Sequence, residues 1–296
     1  QNRAIAMSWR TVVVTGIAKL DFKMDYLVIR KKEETHKVHL SEIGMLLIES
    51  NAISLTAMLL CELAKHKIKV VFCDEQHNPH SELLPYYGSH DTSAKIRKQV
   101  AWTDMEKEMV WTEIVTEKIR QQSVHLQEAG AYEEAELLEK YITEVEPGDA
   151  SNREGHAAKV YFNALFGMDF TRSEDNSVNA ALNYGYGILL SCFNKEIVAN
   201  GYMTQIGLFH DNMFNPFNLA SDFMEPFRPI IDRLVAGIQI ECFDTEEKRE
   251  ILSFLSDEVF IDGKCHYVSN AIKIYCRSVF DALNERDVSL IRFYRK

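Results

Sequence analysis

The sequence predicts an α+β protein, with an N-terminal β-rich domain containing one helix and a C-terminal all-α domain. Three observations carry this. Up to Pro85, β-branched and alternating runs dominate, the period-two signature of strands. The stretch Pro85-Tyr86-Tyr87-Gly88-Ser89-His90-Asp91 then interrupts the pattern with turn-forming residues. Beyond it, apolar residues recur with the 3.6-residue period of helices. The length, 296 residues, fits two domains of ordinary size. The chain divides accordingly into residues 7–85, a linker at 86–90, and residues 91–296. Residues 1–6 precede Met7-Ser8-Trp9 and read as an expression remnant ahead of the native start.

In the first domain, Trp9 to Val14 is β-branched and bounded by Gly16. Residues 19–23 alternate, Met24-Asp25 can turn, and Tyr26 to Ile29 follows as a partner strand. His36 to Leu40 alternates again, and Met45 to Ile48 has the continuous apolar character of a buried strand. Ser54 can cap a helix over residues 55–65, where Leu55, Met58, Leu59 and Leu63 share a face. Residues 68–73 return to strand.

In the second domain, Asp91 or Thr92 can start a helix carrying Lys95, Arg97 and Lys98. Thr103-Asp104-Met105-Glu106 has capping-box form, and Trp111, Ile114, Val115 and Ile119 continue it as an apolar stripe. Residues 132–145 form a further helix, stopped by Pro147-Gly148. Ser151 to Glu154 opens a helix continuing through Phe162, and a long helix rich in small residues covers 177–200. The pattern places further helices at 222–235, 245–255 and 270–284, and the tail from Arg292 is basic and aromatic.

The six cysteines form no CxxC pair and several sit in apolar runs, which fits a reducing, cytoplasmic setting and argues against structural zinc. No apolar run approaches the roughly 20 residues of a membrane span. The formal net charge of −11 disfavours a large non-specific binder of polyanions, because phosphate contacts come from Lys and Arg. A local basic stripe beside a bound metal remains compatible with it. Lys95, Arg97 and Lys98 fit such a stripe or a simple exposed face. The run Glu246 to Glu250 reads as a solvated helix face.

Ionisable residues gather in 201–229. Asp222 and Glu225 are three apart and would project from nearly one face of a helix. Two carboxylates that close repel and require a cation or a proton. They also fit the first turn of a helix, where the dipole favours acids. Pro226 and Pro229 lack backbone N–H groups, so the helix starts late or kinks there, beside Arg228. His210 fits a hydrogen-bonded core histidine or a metal ligand. Glu154 fits the capping box of Ser151 or a ligand next to the small residues Ala157 and Ala158. If Glu154, His210 and Glu225 converge, two carboxylates and one imidazole suit Mg²⁺ or Mn²⁺. A Gly-rich phosphate loop, a GxSxG elbow and a dinucleotide fingerprint are all absent from the sequence. The reaction class left is metal-assisted attack on a phosphodiester.

The segments Ser151-Asn152-Arg153-Glu154-Gly155-His156-Ala157-Ala158, Ile206-Gly207-Leu208-Phe209-His210 and Asp222-Phe223-Met224-Glu225-Pro226-Phe227-Arg228-Pro229 together resemble the CRISPR-associated protein 1 family. The match is nearest to its type II-A branch and covers essentially the whole chain from Met7. The resemblance implies a spacer-acquisition integrase and endonuclease whose metal ligands are Glu154, His210 and Glu225, with Asp222 as a possible accessory acid. It implies a homodimer formed through the N-terminal domains. Two such dimers would flank CRISPR-associated protein 2, in an assembly of four integrase and two partner subunits. The implied chemistry is transesterification, in which the 3′-hydroxyl of an incoming double-stranded DNA fragment attacks the leader–repeat of a CRISPR array. Arg153, Lys159 and Arg228 are the candidate DNA contacts. The competing readings are a non-catalytic DNA-binding scaffold and a general metallonuclease acting on branched DNA.

Overall fold

A computed structural model describes residues 10–85, 89–238, 240 and 242–296. The expected remnant at 1–6, the start at Met7, Trp9, and Tyr86 to Gly88 of the expected linker lie outside the described residues. The chain forms two compact units, Gln1–Tyr87 and Gly88–Lys296.

The first unit contains β1 (Arg10–Val14), β2 (Ala18–Lys23), β3 (Tyr26–Arg30), β4 (Thr35–His39), β5 (Ile43–Ile48), β6 (Ile53–Leu55), α1 (Ala57–Lys65), β7 (Lys69–Cys73) and β8 (Pro79–Glu82). Its described strands build two four-stranded sheets, ordered β1-β5-β7-β8 and β4-β3-β2-β6. Met24 and Asp25 both take positive φ, 50° and 63°, the requirement of the tight hairpin turn joining β2 to β3. β5 pairs in parallel with β1 and with β7, and its apolar run is almost wholly buried. Leu20, Leu27, Leu46, Leu59, Leu63 and Val70 centre the core.

One boundary differs from expectation. Ser54 lies in β6, and the helix cap is Thr56, whose hydroxyl accepts the Leu59 N–H at 3.3 Å. β6 pairs with β2 through Ile53, Ser54 and Leu55, so the chain can turn helical only after that pairing ends.

The second unit contains α2 (Thr92–Val100), α3 (Asp104–Glu128), α4 (Tyr132–Thr143), α5 (Arg153–Phe166), α6 (Ser177–Ala199), α7 (Asn218–Phe223), α8 (Arg228–Gly237), α9 (Thr245–Leu252), β9 (Glu258–Ile261), β10 (Lys264–Tyr267) and α10 (Val268–Glu285). The capping box at α3 forms as expected: the Thr103 N–H donates to Glu106 Oε2 at 2.7 Å, and the Glu106 N–H to Thr103 Oγ1 at 3.3 Å. α3 runs 25 residues and packs against α4, α5, α8 and α10.

Two regions depart from the expected pattern. The helix expected over 222–235 is divided into α7, a 3-10 turn at Glu225–Phe227, and α8. Pro226 and Pro229 each fall in the first turn of their segment, where a missing N–H is harmless. The helical unit also carries an antiparallel hairpin, β9–β10, turned by Asp262 and Gly263 at φ 50° and 77°. The C-terminal tail adds to it, since Phe260 and Arg295 exchange backbone hydrogen bonds at 2.7 Å. The tail also buries Tyr294, whose ring centroid lies 4.7 Å from that of Phe227.

Candidate active site

Four elements of the helical unit meet at one cluster of charge. α3 supplies Lys118, α5 supplies Glu154, the 3-10 turn supplies Glu225, and α8 begins at Arg228. Lys118 Nζ lies 2.5 Å from Glu154 Oε1 and 2.5 Å from Glu225 Oε2. Twice that distance bounds the separation of the two oxygens at 5.0 Å. Arg228 Nε lies 2.9 Å from Glu225 Oε1, and its guanidinium sits 4.6 Å from the centroid of the Tyr186 ring.

Burial makes this cluster demanding. Lys118 is 7% exposed and Glu225 2%. Charges there persist only when paired. Burial pulls the Lys118 ammonium downward in pKa, but Glu225 and Glu154 outweigh it and raise it. Burial pushes the Glu225 carboxyl up, while Arg228 and Lys118 outweigh it and hold it below the ordinary glutamate value. The carboxylate and the ammonium therefore keep each other charged.

The local backbone explains why Glu154 is available. The capping box of Ser151, one of the two readings of Glu154, does not form; the helix cap is Asn152. Asn152 takes a left-handed conformation, φ 52° and ψ 44°, and its side chain accepts the Gly155 N–H at 3.3 Å. Asp149 accepts the Arg153 N–H at 2.7 Å and the Glu154 N–H at 3.1 Å. With these helix-end donors satisfied from upstream, the Glu154 carboxylate turns to Lys118.

His210 is held by Asp222. The turn from Gly207 to His210 wraps the Asp222 carboxylate. Asp222 Oδ2 accepts the Leu208 and Phe209 N–H groups at 2.6 and 3.2 Å. Asp222 Oδ1 accepts the His210 N–H at 3.1 Å and stands 2.5 Å from His210 Nδ1. A Cβ at position 207 would lie 2.7 Å from Asp222 Oδ2, so only glycine permits this wrap. The Phe209 ring stacks on buried Trp111 with centroids 4.6 Å apart and planes 3° from parallel. The hydrogen bond that the His210 ring donates to Asp222 raises the His210 pKa against its burial, and the charges of Asp222, Glu225 and Glu154 add to the effect. Nε2 is the ring nitrogen not spent on Asp222.

The expected site residues are thus brought together in two groups. Glu154 and Glu225 share one cation, and His210 stands within their electrostatic reach. Among the described residues, no group of three or more His, Cys, Asp and Glu side chains is arranged to hold a metal ion. The Lys118 ammonium occupies the position between the two glutamates. Asp222, expected as a possible accessory acid, is fully buried with both oxygens engaged by the 208–210 turn, so it positions His210. Of the expected DNA contacts, Lys159 is exposed on α5. Arg153 pairs with Glu144 at 3.0 Å and Arg228 with Glu225.

Sequence reasoning missed Lys118. Its signal was a lysine four residues after Ile114, on the apolar stripe of α3, where an exposed charge would be out of place. Also missed was a polar layer behind the cluster. The Tyr186 hydroxyl donates to Asp232 Oδ1, and Tyr161 Oη lies 2.6 Å from His125 Nδ1. Burial lifts the Asp232 pKa to about 6, against the opposing pull of Tyr186 and Arg228. Among the described residues, no helix is long and apolar enough to cross a membrane.

The chain is similar to several known proteins. A family model described as "CRISPR associated protein Cas1" matches residues 11–253. A CRISPR-associated endonuclease Cas1 of Neisseria meningitidis serogroup C (strain 8013) is 39% identical over 229 residues, spanning 77% of this chain and 75% of that protein. One from Saccharolobus solfataricus is 30% identical over 245 residues, 77% of this chain and 75% of its own length. Among solved structures, a casposase bound to integration product has a TM-score of 0.77 at 19% identity, covering 95% of this chain and 93% of its own. A CAS1 protein from Thermotoga maritima also reaches 0.77, at 17% identity over 93% of this chain and 97% of its own. A Cas6-RT-Cas1–Cas2 complex matches 96% of this chain and 36% of a longer one, with a TM-score of 0.74 at 18% identity. With the family model covering most of its length and close relatives along it, this chain belongs to the CRISPR-associated Cas1 family.

Proposed function

We propose that this protein is a divalent-metal-dependent DNA integrase and endonuclease of CRISPR adaptation. It would join the 3′-hydroxyl ends of a DNA fragment to the leader–repeat of a CRISPR array by transesterification. The observation that carries the reading is the convergence of Glu154 and Glu225 on one cation, beside an oriented His210. Two carboxylate oxygens within 5.0 Å, with the imidazole of His210 in their electrostatic reach, are donor types suited to Mg²⁺ or Mn²⁺. Glu154, Glu225 and His210 Nε2 would hold the ion. Bound there, it would polarise a phosphoryl oxygen and make the attacking hydroxyl easier to deprotonate.

The chain's own residues do the rest. Asp222 fixes the His210 tautomer by accepting from Nδ1. Arg228 keeps Glu225 ionised and adds positive charge beside the site, where a phosphodiester would bring negative charge. Exposed Lys159, on the helix that carries Glu154, would contact the DNA backbone. The family relatives named as endonucleases, and the casposase bound to integration product, support the same reaction class. The complexes named Cas6-RT-Cas1–Cas2 support a Cas2 partner, and we propose the assembly of four integrase and two Cas2 subunits, dimerised through the β-rich unit.

The test is strand joining. The protein, its Cas2 partner and Mn²⁺ are incubated with 3′-hydroxyl DNA and a leader–repeat plasmid. Joined product that disappears in Glu154→Ala supports the reading. Joining undiminished by Glu154→Ala, or cutting that is equal with 3′-phosphate donors and never joins ends, contradicts it.

A further inference from the structure

Lys118 has a role that the metal-site reading alone does not assign. It is a lysine on the inner face of α3, with its ammonium placed between the two acidic ligands that the proposed chemistry requires. Without that charge, buried Glu225 and its neighbour Glu154 would face each other as two carboxylates at most 5.0 Å apart. Such a pair repels, and its members would be pushed apart. Of the two carboxylates, Arg228 pairs with Glu225, through its other oxygen, and Lys118 is the cation in contact with both. A divalent ion bound by the same two carboxylates would stand where the ammonium stands. The two cations compete for one position, and their repulsion in a buried setting is large.

We propose that Lys118 is a built-in stand-in for the metal. In the metal-free protein it keeps Glu154 and Glu225 paired and in place. It opposes metal entry and is displaced when the metal binds. The phosphodiester that enters with the metal is an anion, and it offers the displaced ammonium a new partner. The inference rests on the reading of Glu154 and Glu225 as metal ligands.

The experiment titrates Mn²⁺ into the full chain, wild type and Lys118→Met, by calorimetry and by the electron paramagnetic resonance signal of free Mn²⁺. Removing the competitor should tighten Mn²⁺ binding by about 5- to 150-fold, the usual range for coupled binding events. A residue that merely supported the fold would weaken binding or leave it alone. Equal or weaker Mn²⁺ binding by Lys118→Met overturns the inference while leaving the metal-site reading standing. Absence of Mn²⁺ binding by wild type overturns both. A second measurement needs no variant: wild type is labelled with acetic anhydride in chelator and in Mn²⁺, and Lys118 acetylation is read by mass spectrometry. Displacement should raise labelling of Lys118 several-fold in Mn²⁺, and unchanged or lower labelling overturns the inference.

Discussion

Asp222 Oδ1 stands 2.5 Å from His210 Nδ1 and also accepts the His210 backbone N–H at 3.1 Å. One carboxylate oxygen thus fixes both the ring and the main chain of the same residue. Asp222→Asn keeps the size but places an amide where N–H donors converge. It should weaken Mn²⁺ binding and strand joining by about 10- to 100-fold, the range for losing the partner of a ligating histidine. Circular dichroism should show the helical content retained. Wild-type metal affinity in this variant would show that His210 needs no such orientation.

Asp149 tests how Glu154 is freed. Its two oxygens hold the N–H groups of Arg153 and Glu154 at the start of α5. Asp149→Ala should cost about 0.5–2 kcal/mol in urea unfolding, the usual loss for a helix cap. The Glu154 carboxylate would then be drawn back toward the helix end, so joining activity should fall more than stability alone predicts. A variant with lower stability and full activity at low temperature would show that Asp149 acts on the fold only.

Two buried groups give opposite pH dependences. Burial, aided by Arg233, pushes the His125 pKa from its ordinary 6.5 to about 4. Between those values the unfolded chain binds the extra proton, so the stabilisation is full above pH 6.5 and is lost as pH falls toward 4. Asp232 is raised from 3.8 to about 6, so the folded state binds the extra proton. Its stabilisation is full below pH 3.8 and is lost as pH rises through 6. His125→Gln should therefore flatten the acid-side loss, by up to roughly 3 kcal/mol between pH 7 and pH 4, and Asp232→Asn should steepen it by a similar amount. Urea unfolding at several pH values checks both signs. Parallel curves for wild type and both variants would contradict them.

What was legible in the sequence follows from how local each cause is. The Thr103–Glu106 box closes within four residues, and it was readable. The β2–β3 turn lies wholly within Met24 and Asp25, and it was readable too. Glu154 was ambiguous because its cap competitor, Asp149, reaches α5 from a 3-10 turn upstream that the pattern did not reveal. The place of Lys118 on the apolar stripe of α3 was a signal, but its partners lie 36 and 107 residues away, so only folding brings them together. Hairpin β9–β10 was missed although Asp262-Gly263 is a strong turn signal; its strands are four residues long, and half-exposed Phe260 gains a further partner in Arg295, which only folding brings from the tail.

In the proposed site, Glu154, Glu225 and His210 together hold one divalent ion. Pulsed electron paramagnetic resonance of Mn²⁺ bound to the full chain tests this most directly, because a ligating imidazole nitrogen leaves a ¹⁴N modulation. Wild type should show that modulation, His210→Gln should lose it with Mn²⁺ still bound more weakly, and Glu225→Gln should lose binding. Bound Mn²⁺ without nitrogen coupling in wild type, or coupling that survives His210→Gln, would contradict it.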